Sequence, residues 1–348
     1  MMRAAVLEEI GKLRLKQVPV PEPGPGEVLV RIEANTICGT DLRIISGAKT
    51  AGVRPGVILG HEFAGRVAAV GRGVDGVPVG AQVTCSIVVS CQRCRACLSG
   101  REQLCENLVL FGYELDGGLA EYLLVPRIAM DHGNLVVLEK EIPATTLALA
   151  EPVSCCLNGA GQVAVAPGES VVVLGTGPIG LLHIALAKLA GATTILAAGR
   201  EGRLTAAINF GATCAVALTG EALTDEVRER THGRGADVVI VAVGDLALAN
   251  QALELAAIGG RVNYFAGFPK GKTASIDPNL IHYRELAVTG GSNARRADVR
   301  RAVELLSSGA LDVGRLVTHR FPLAELDAAV TAVARRDGLK VAVMPAAG

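Results

Sequence analysis

The sequence predicts an α/β protein in which a β-rich part precedes a doubly wound parallel sheet, and three observations carry this prediction. The first 150 residues hold short β-branched runs separated by proline and glycine, a pattern typical of antiparallel strands. Beyond about residue 151, apolar strands alternate with helical runs, which specifies a parallel sheet covered by helices. A glycine-rich turn at 175–180 joins the first of those strands to the first helix, as doubly wound sheets require.

Periodicity and punctuation predict the individual elements. In the β-rich part the clearest strands are residues 28–32 and 66–70. The parallel part is predicted to run as strand 171–174, helix 179–189, strand 194–198, helix 203–210 and strand 238–243. After about residue 289 the expected elements are helices 299–306 and 323–334 and a strand at 340–344. The expected domains are 1–153 together with 290–348, and 154–289.

Composition and charge exclude several classes of protein. The chain has 348 residues, enough for two domains, and its 34 basic residues balance 34 acidic ones. A net charge of zero argues against a nucleic-acid partner, including the alternative of a zinc ribbon that binds nucleic acid. The apolar stretch 170–198 is broken by glycine, proline and Lys188, so we expect a buried strand, a turn and a packed helix there, and no membrane partner. Nine cysteines and an N-terminus without a signal-peptide pattern favour a reducing compartment, and we expect a cytoplasmic protein.

Four clustered cysteines form the most specific pattern in the chain. They are Cys91, Cys94, Cys97 and Cys105, spaced Cys-x2-Cys-x2-Cys-x7-Cys. Four thiolates at this spacing can close a tetrahedron around zinc and leave no position for a substrate, so the predicted site is structural. The arginines between them are expected to lower the pKa values of the thiols. The alternative is a set of buried or disulfide-paired cysteines, which short fixed spacing fits less well.

The glycine-rich turn is the predicted dinucleotide site. It follows a strand and opens a helix, so its glycines allow close backbone approach while the helix N-terminus offers free N–H groups to a pyrophosphate. A glycine-rich turn that binds nothing is the alternative. The expected cofactor-binding residues of the turn are Gly175, Thr176, Gly177, Pro178, Ile179 and Gly180.

The end of the second parallel strand indicates which dinucleotide binds. NAD-binding units usually carry an acidic residue there for the ribose 2′-hydroxyl, but this chain has Gly199, followed by Arg200 and Arg203. A missing carboxylate removes repulsion against a 2′-phosphate, and a guanidinium can bind that phosphate in a bidentate manner. We therefore expect NADP(H) rather than NAD(H). Glu201 keeps NAD(H) open, and a solvated loop charge is the alternative interpretation of Arg200.

Two short motifs in the β-rich part complete a family pattern. They are Cys38-Gly-Thr40-Asp41 and Gly60-His61-Glu62. The ordered set of matching features is Gly60-His61-Glu62-x2-Gly65-x5-Gly71, the cysteine cluster, Gly117-Gly118-Leu-Ala-Glu121-Tyr122 and the glycine turn. Over essentially its whole length the chain resembles the zinc-dependent medium-chain dehydrogenase/reductase superfamily, and it is closest in motif to the polyol, sorbitol and threonine dehydrogenase branch.

That resemblance implies a fold and a set of metal ligands. The expected fold is a GroES-like catalytic domain, with a structural-zinc lobe at 85–110, plus a Rossmann coenzyme domain. Cys38 and His61 fall on the family's catalytic zinc ligands. Glu62 falls on a residue that either ligates the metal directly or orients the site from nearby. Glu151 falls where the polyol and threonine dehydrogenase branch carries a carboxylate and many simple alcohol dehydrogenases have cysteine. Three protein groups and one open position suit a catalytic zinc that acts as a Lewis acid, so two zinc ions are expected per chain.

Three further positions concern the proton and the substrate. Thr40 falls on the hydroxyl that passes the alcohol proton toward the cofactor ribose, and a turn hydroxyl is its alternative role. Arg43 stands where many relatives have a relay histidine. Arginine stays protonated near neutral pH, so protons leave through solvent or Arg43 binds substrate or phosphate. Asn293 stands where some sugar-alcohol enzymes have arginine, and its neutral amide favours a substrate recognised through hydroxyl or amine groups.

The expected function is an oxidoreductase that transfers hydride between NADP(H) and a secondary alcohol or ketone of a polyhydroxylated small molecule, namely a sugar, polyol or aminocyclitol. Glu151 argues against the alternative of a simple-alcohol or aldehyde dehydrogenase. An L-threonine-type dehydrogenase that uses NAD(H) is a further alternative. A non-catalytic nucleotide-binding relative would be expected to lack the cysteine and histidine that are present here. Relatives are commonly homodimers or homotetramers, and we expect the same of this chain.

Overall fold

The computed structural model of the chain describes residues 1–345, which divide into two compact units. The first unit comprises Met1–Ser154 and the chain from Asn293 onward, and the second comprises Cys155–Ser292. The predicted α/β class is confirmed, because mostly antiparallel sheets form the first unit and a parallel sheet with helices forms the second. The two-domain division at about residues 153 and 290 stays a prediction.

Residues 1–345 contain strands β1–β18 and helices α1–α12. The strands are β1 (Met2–Glu9), β2 (Lys12–Val18), β3 (Val28–Thr36), β4 (Val57–Ile58), β5 (Glu62–Val70), β6 (Gln82–Cys85), β7 (Val88–Val89), β8 (Val109–Leu110), β9 (Tyr122–Val125), β10 (Leu135–Val137), β11 (Ser170–Leu174), β12 (Thr194–Ala198), β13 (Cys214–Val216), β14 (Ala236–Val241), β15 (Ala256–Tyr264), β16 (Ala287–Gly290), β17 (Val317–Pro322) and β18 (Lys340–Met344). The helices are α1 (Gly39–Ile45), α2 (Arg95–Leu98), α3 (Arg127–Asp131), α4 (Ala144–Leu147), α5 (Ala150–Val163), α6 (Pro178–Leu189), α7 (Leu204–Phe210), α8 (Gly220–Arg230), α9 (Leu248–Leu255), α10 (Pro278–Arg284), α11 (Arg296–Ser307) and α12 (Leu326–Arg335).

A seven-stranded sheet organises the first unit in the order β10-β6-β5-β3-β18-β17, and β9 also pairs with β3. The central strand β3 is buried at seven of its nine positions, because it has neighbours on both edges and apolar packing on its faces. The register sets Thr36 of β3 opposite Glu62 of β5 and opposite Ala342 of β18. Three distant parts of the chain therefore meet in the middle of this sheet. Two smaller sheets, β2-β1-β4 and β7-β8, complete the unit.

A six-stranded parallel sheet forms the second unit in the order β13-β12-β11-β14-β15-β16. The chain begins at the central strand β11, builds outward on one side and then crosses to build the other, which is the strand order of dinucleotide-binding units. All five residues of β11 are buried, as its continuous apolar run predicts. The apolar stretch at 170–198 forms β11, the glycine turn, α6 and β12, as predicted. Within residues 1–345 we find no helix with the length and apolar character needed to cross a bilayer.

His183, on α6, is a buried base inside the second unit. Its ring packs edge-on against Phe265, with 4.6 Å between ring centroids. Neither ring nitrogen has a hydrogen-bond partner in the described part of the chain. Burial lowers the pKa of His183 to about 3, because a desolvated imidazolium ion is unfavourable. The native chain therefore keeps this ring neutral.

We expect His183 to make the stability of the chain sensitive to acid. Between pH 6.5 and about pH 3 the unfolded chain binds a proton here and the native chain does not, so the free energy of unfolding falls as the pH falls. At pH 5 this loss amounts to about 2 kcal/mol. Urea unfolding at pH 7.5 and at pH 5 measures how far the free energy of unfolding falls between the two pH values. That fall should be smaller, by about the same amount, in His183→Leu than in the wild type. His282→Leu, at an exposed position, is the control, and a pH dependence unchanged by His183→Leu would contradict a neutral buried ring.

Candidate functional site

The cysteine cluster of the first unit has the geometry of a metal site. Cys91 follows β7, Cys94 precedes α2, Cys97 lies within α2, and Cys105 follows the 3₁₀ turn Glu102–Leu104. The Sγ atoms of Cys94 and Cys97 are 3.5 Å apart, those of Cys94 and Cys105 are 3.9 Å apart, and all four lie within 4.8 Å of one another. A tetrahedral zinc with Zn–S bonds of about 2.3 Å requires sulfur atoms about 3.8 Å apart. The four free thiols therefore fit zinc.

Backbone amides make the largest contribution to thiolate formation at Cys91 and Cys94. Backbone N–H groups of Arg93 and Cys94 lower the pKa of Cys91 to about 6. These donors contribute most, and arginine side chains, which were expected to lower the pKa values of the thiols, are not among the main influences on Cys91. Burial raises the pKa of Cys105 to about 12, although the backbone N–H groups of Cys91 and Asn107 point at its sulfur, at 3.2 Å and 3.3 Å. The loop backbone is thus arranged around sulfur atoms that carry negative charge.

A second group of candidate ligands lies in the first unit, where the chain leaves β3 and enters β5. One atom each from Cys38, His61 and Glu62 lies within 4.8 Å of the others. His61 and Glu62 are 3% and 1% exposed, and Cys38 is half-buried. A sulfur, a nitrogen and an oxygen donor at this separation suit zinc, and the partial exposure of Cys38 leaves an approach from solvent. The structure therefore brings together three of the four predicted catalytic ligands.

A glycine makes the turn before His61. Gly60 has φ of +94°, and a Cβ atom there would lie 2.6 Å from Asn35 Oδ1 and 2.7 Å from the backbone nitrogen of Leu119. Any other residue would need both a strained backbone and a shift of this neighbouring strand and loop. The tight turn delivers His61 and Glu62 to the start of β5 in adjacent positions.

Asp41 supports this group and was missed as a functional residue. It is 1% exposed, one carboxylate oxygen accepts a hydrogen bond of 2.8 Å from the backbone N–H of Cys38, and the other lies 3.3 Å from Nδ1 of His61. Burial alone would lower the pKa of His61, but the Asp41 carboxylate raises it well above its ordinary value. A carboxylate at Nδ1 directs Nε2 toward a metal. An aspartate three residues after Cys38, at the start of a helix, was the available sequence signal.

Glu62 is held by two groups that the sequence did not associate with it. Its Oε1 accepts a hydrogen bond of 2.6 Å from Nζ of Lys340, and its Oε2 accepts a short hydrogen bond from the hydroxyl of Thr36. Burial would lower the pKa of Lys340, but the Glu62 carboxylate raises it above its ordinary value. Lys340 begins β18 and lies 278 residues from Glu62 in the chain, so only the sheet register brings them together.

The remaining predicted site residues of the first unit lie outside the group of Cys38, His61 and Glu62. Glu151, in the first turn of α5, is outside the three-residue group, although its charge acts on the pKa of Lys340. Thr40 and Arg43 follow Cys38 on α1, where Thr40 is half-buried and Arg43 is exposed. Asn293 has a left-handed backbone, with φ of +55°.

The glycine turn of the second unit leaves room for a phosphate. It joins β11 to α6, whose first helical residue is Pro178. A Cβ atom at Gly177 would meet nothing within 4 Å, whereas one at Gly180 would collide with the carbonyl oxygen of Gly175. The first position is therefore open for a ligand, and the second packs the helix against the strand. The first-turn N–H groups of α6 have no intrahelical acceptors, so they can bind an anion.

The end of β12 has no space for an acidic side chain. A Cβ atom at Gly199 would overlap the side chain of Thr176, which is buried. Arg200 comes next and is exposed, and in the described residues its guanidinium forms no ion pair. This edge of the second unit therefore presents positive charge where an NAD-binding unit usually presents a carboxylate.

Two family models match the chain. The alcohol dehydrogenase GroES-like domain matches residues 24–132, and the zinc-binding dehydrogenase model matches residues 178–308. L-threonine 3-dehydrogenase of Pyrococcus furiosus is 37% identical over 313 residues, which cover 88% of this chain and 87% of that protein.

Solved structures of dehydrogenases are also similar to this chain over nearly its whole length. A protein from Sinorhizobium meliloti 1021, described as a zinc-binding dehydrogenase and bound to NADP, superposes with a TM-score of 0.91 at 36% identity and covers 99% of both chains. An alcohol dehydrogenase from Thermus sp. ATN1 superposes with a TM-score of 0.89 at 33% identity, again over 99% of both chains.

Lys340→Met should lower the free energy of unfolding by about 3–5 kcal/mol, because it leaves the Glu62 carboxylate buried without its counter-charge. Adding Glu62→Gln to that variant should recover part of the loss, since a neutral amide costs less to bury. Chemical unfolding of the wild type, both single variants and the double variant measures the coupling. Lys140→Met, at an exposed position, is the matched control, and additive effects of the two substitutions would contradict the pairing.

Proposed function

Because the chain belongs to the zinc-dependent medium-chain dehydrogenase family and is an alcohol dehydrogenase-type oxidoreductase, we propose that it transfers hydride between NADP(H) and a secondary alcohol or ketone of a polyhydroxylated small molecule. Sugars, polyols and aminocyclitols form the proposed substrate class. The grouping of Cys38, His61 and Glu62 around one point carries the proposal. Glu151, a carboxylate where simple alcohol dehydrogenases have cysteine, supports a substrate with several hydroxyl groups.

We assign one zinc to Cys38 and His61 with a carboxylate or water completing its shell, and a second zinc to the four-cysteine lobe. Zinc supplies Lewis acidity at the first site and the nicotinamide supplies or takes the hydride. The Asp41 carboxylate, 3.3 Å from Nδ1 of His61, is placed to orient that ring so that Nε2 faces the metal. The Thr40 hydroxyl, half-buried on the adjoining helix, is proposed to relay the substrate proton: it would accept that proton and pass its own on toward the cofactor ribose. Arg43 stays charged, so the proton leaves through solvent.

NADP(H) is the proposed cofactor. The overlap between Thr176 and any side chain at position 199 removes the carboxylate that would repel a 2′-phosphate, and Arg200 has a guanidinium free to bind it. The similar Sinorhizobium meliloti protein is bound to NADP. We further propose a homodimer or homotetramer located in the cytoplasm.

A second candidate is oxidation of L-threonine with NAD(H). It is favoured by the relatives named L-threonine 3-dehydrogenase, which are similar over most of their length. L-Threonine is itself a secondary alcohol with polar neighbours, so the same zinc site would serve it. Direct comparison of L-threonine with hexitols and inositols as substrates separates the two candidates.

The purified chain should contain two zinc ions, and a matched pair of cysteine variants should separate their roles. Cys38→Ser should lose about one zinc and nearly all alcohol-dependent reduction of NADP⁺, because it removes a ligand of the open site. Cys94→Ser should also lose about one zinc, but its main effect should be a lower unfolding temperature, since a closed thiolate site is structural. Elemental analysis, thermal unfolding and nicotinamide absorbance measure the three quantities. If Cys38→Ser kept both its zinc content and its turnover, the proposed function would be wrong.

Arg200→Gln should raise the KM for NADPH by roughly 10- to 100-fold and leave the KM for NADH nearly unchanged, since a charge-assisted hydrogen bond contributes about 1.5–3 kcal/mol. Initial rates with both cofactors at a saturating ketone measure this. The control is Arg228→Gln, which changes a mostly exposed arginine on α8. A clear preference of the wild type for NADH would overturn the assignment of Arg200.

A further inference from the structure

Tyr113 is a buried tyrosine beside the candidate zinc ligands whose hydroxyl is free. Its side chain belongs to the apolar cluster of the first unit and is 6% exposed, and its ring lies 5.4 Å from the ring of His61, centroid to centroid. No hydrogen bond within residues 1–345 involves the Tyr113 hydroxyl, and that oxygen is not among the fully enclosed atoms that lack a partner. Buried tyrosines usually place their hydroxyl against a partner. A free hydroxyl that still reaches solvent is therefore available to a ligand.

The tyrosine lies among the charged groups of the candidate site. Its ring and that of His61 are 5.4 Å apart, centroid to centroid. Burial raises the pKa of the Tyr113 phenol, and the next influences on it are the charges of His61, Cys38, Asp41 and Glu151. A substrate held beside His61 would therefore lie close to this tyrosine.

Lys49 adds a positive charge on the same tyrosine. Its Nζ lies 5.3 Å from the centroid of the Tyr113 ring, within the range of a cation–π contact. Among the described residues no carboxylate pairs with this ammonium group. The His61 ring, at 5.4 Å, and the Lys49 ammonium, at 5.3 Å, thus both neighbour the Tyr113 ring. The neighbourhood of the Tyr113 ring thus offers a hydroxyl and a cation.

We propose that Tyr113 is a specificity-determining residue: its hydroxyl binds a second oxygen of the substrate, and Lys49 beside the ring selects an oxygen substituent over an ammonium group at that place. This inference rests on the proposed function, whose substrate class it narrows. A lysine ammonium can only donate hydrogen bonds, so it favours hydroxyl or anionic oxygen and disfavours a second cation. In an aminocyclitol substrate the amine would have to lie away from Tyr113.

Three six-membered-ring alcohols test this with the zinc-loaded chain and NADP⁺. The probes are cyclohexanol, trans-cyclohexane-1,2-diol and trans-2-aminocyclohexanol, which differ only in the group beside the carbinol. We expect the diol to bind about tenfold more tightly than cyclohexanol, the value of one neutral hydrogen bond. Tyr113→Phe, which keeps the ring, should abolish that ratio, and Tyr122→Phe, which removes a hydroxyl from β9 of the same unit, should keep it. Binding is measured by calorimetry, and kcat and KM are measured separately.

The lysine is tested with the same probes. In the wild type the amino alcohol should bind more weakly than the diol. Lys49→Met should reduce this difference in affinity, and Lys49→Arg should preserve it. The proposal is overturned if Tyr113→Phe keeps the diol preference, if the amino alcohol binds as well as the diol, or if the diol does not bind. Zinc content and nicotinamide reduction in the Cys38→Ser comparison report on the proposed function independently, so a zinc-dependent turnover without a diol preference refutes the role of Tyr113 alone.

Discussion

The buried ion pair between Lys340 and Glu62 is the interaction on which the first unit most depends. Two charges removed from water are expensive unless they meet with good geometry, and here the hydrogen bond of 2.6 Å and the second contact from Thr36 satisfy both carboxylate oxygens. That geometry exists only when β18 and β5 pair in register on either side of β3. The segment that follows Asn293 must therefore return to the sheet before the site is complete. The candidate site is thus complete only when this sheet has closed.

In the second unit, close contacts that leave no room for a side chain determine how the glycine turn and the end of β12 are built. Gly180 packs α6 against the loop after β11, which fixes where the helix N-terminus points, and Gly177 leaves that N-terminus uncovered. Thr176 fills the space in front of Gly199. A residue of the glycine turn thus limits which side chain can occupy the end of the next strand. The proposed preference for NADP(H) therefore depends on two positions that constrain each other, and not on an arginine alone.

Local patterns were predictable from the sequence, and long-range partners were not. The cysteine cluster and the glycine turn are short segments whose chemistry is complete within a few residues, and the strands at 194–198 and 340–344 have the observed bounds. The family resemblance singled out Cys38, His61 and Glu62, but no local pattern joins Glu62 to Lys340 or His61 to Tyr113. The helix predicted at 323–334 instead opens with a 3₁₀ turn, Leu323–Glu325, before α12, because the apolar periodicity of the two kinds of helix is indistinguishable over one turn. The position of Asp41 in the sequence is consistent with a helix-capping residue, but its contact with His61 is evident only from the fold.

The pairing of Glu62 with Lys340 also sets the charge of the candidate site. The buried ammonium of Lys340 balances the Glu62 carboxylate. A second carboxylate, that of Asp41, is also buried and lies 3.3 Å from Nδ1 of His61. In the proposed reaction a bound alcohol loses its proton and becomes an anion, and nearby negative charge opposes this step most strongly where the dielectric is low. Because Lys340 offsets one of the two carboxylates, it lowers the negative charge that this anion would meet, whether or not Glu62 also contacts the metal. That gives a physical reason for a buried lysine so far along the chain from the residues it serves.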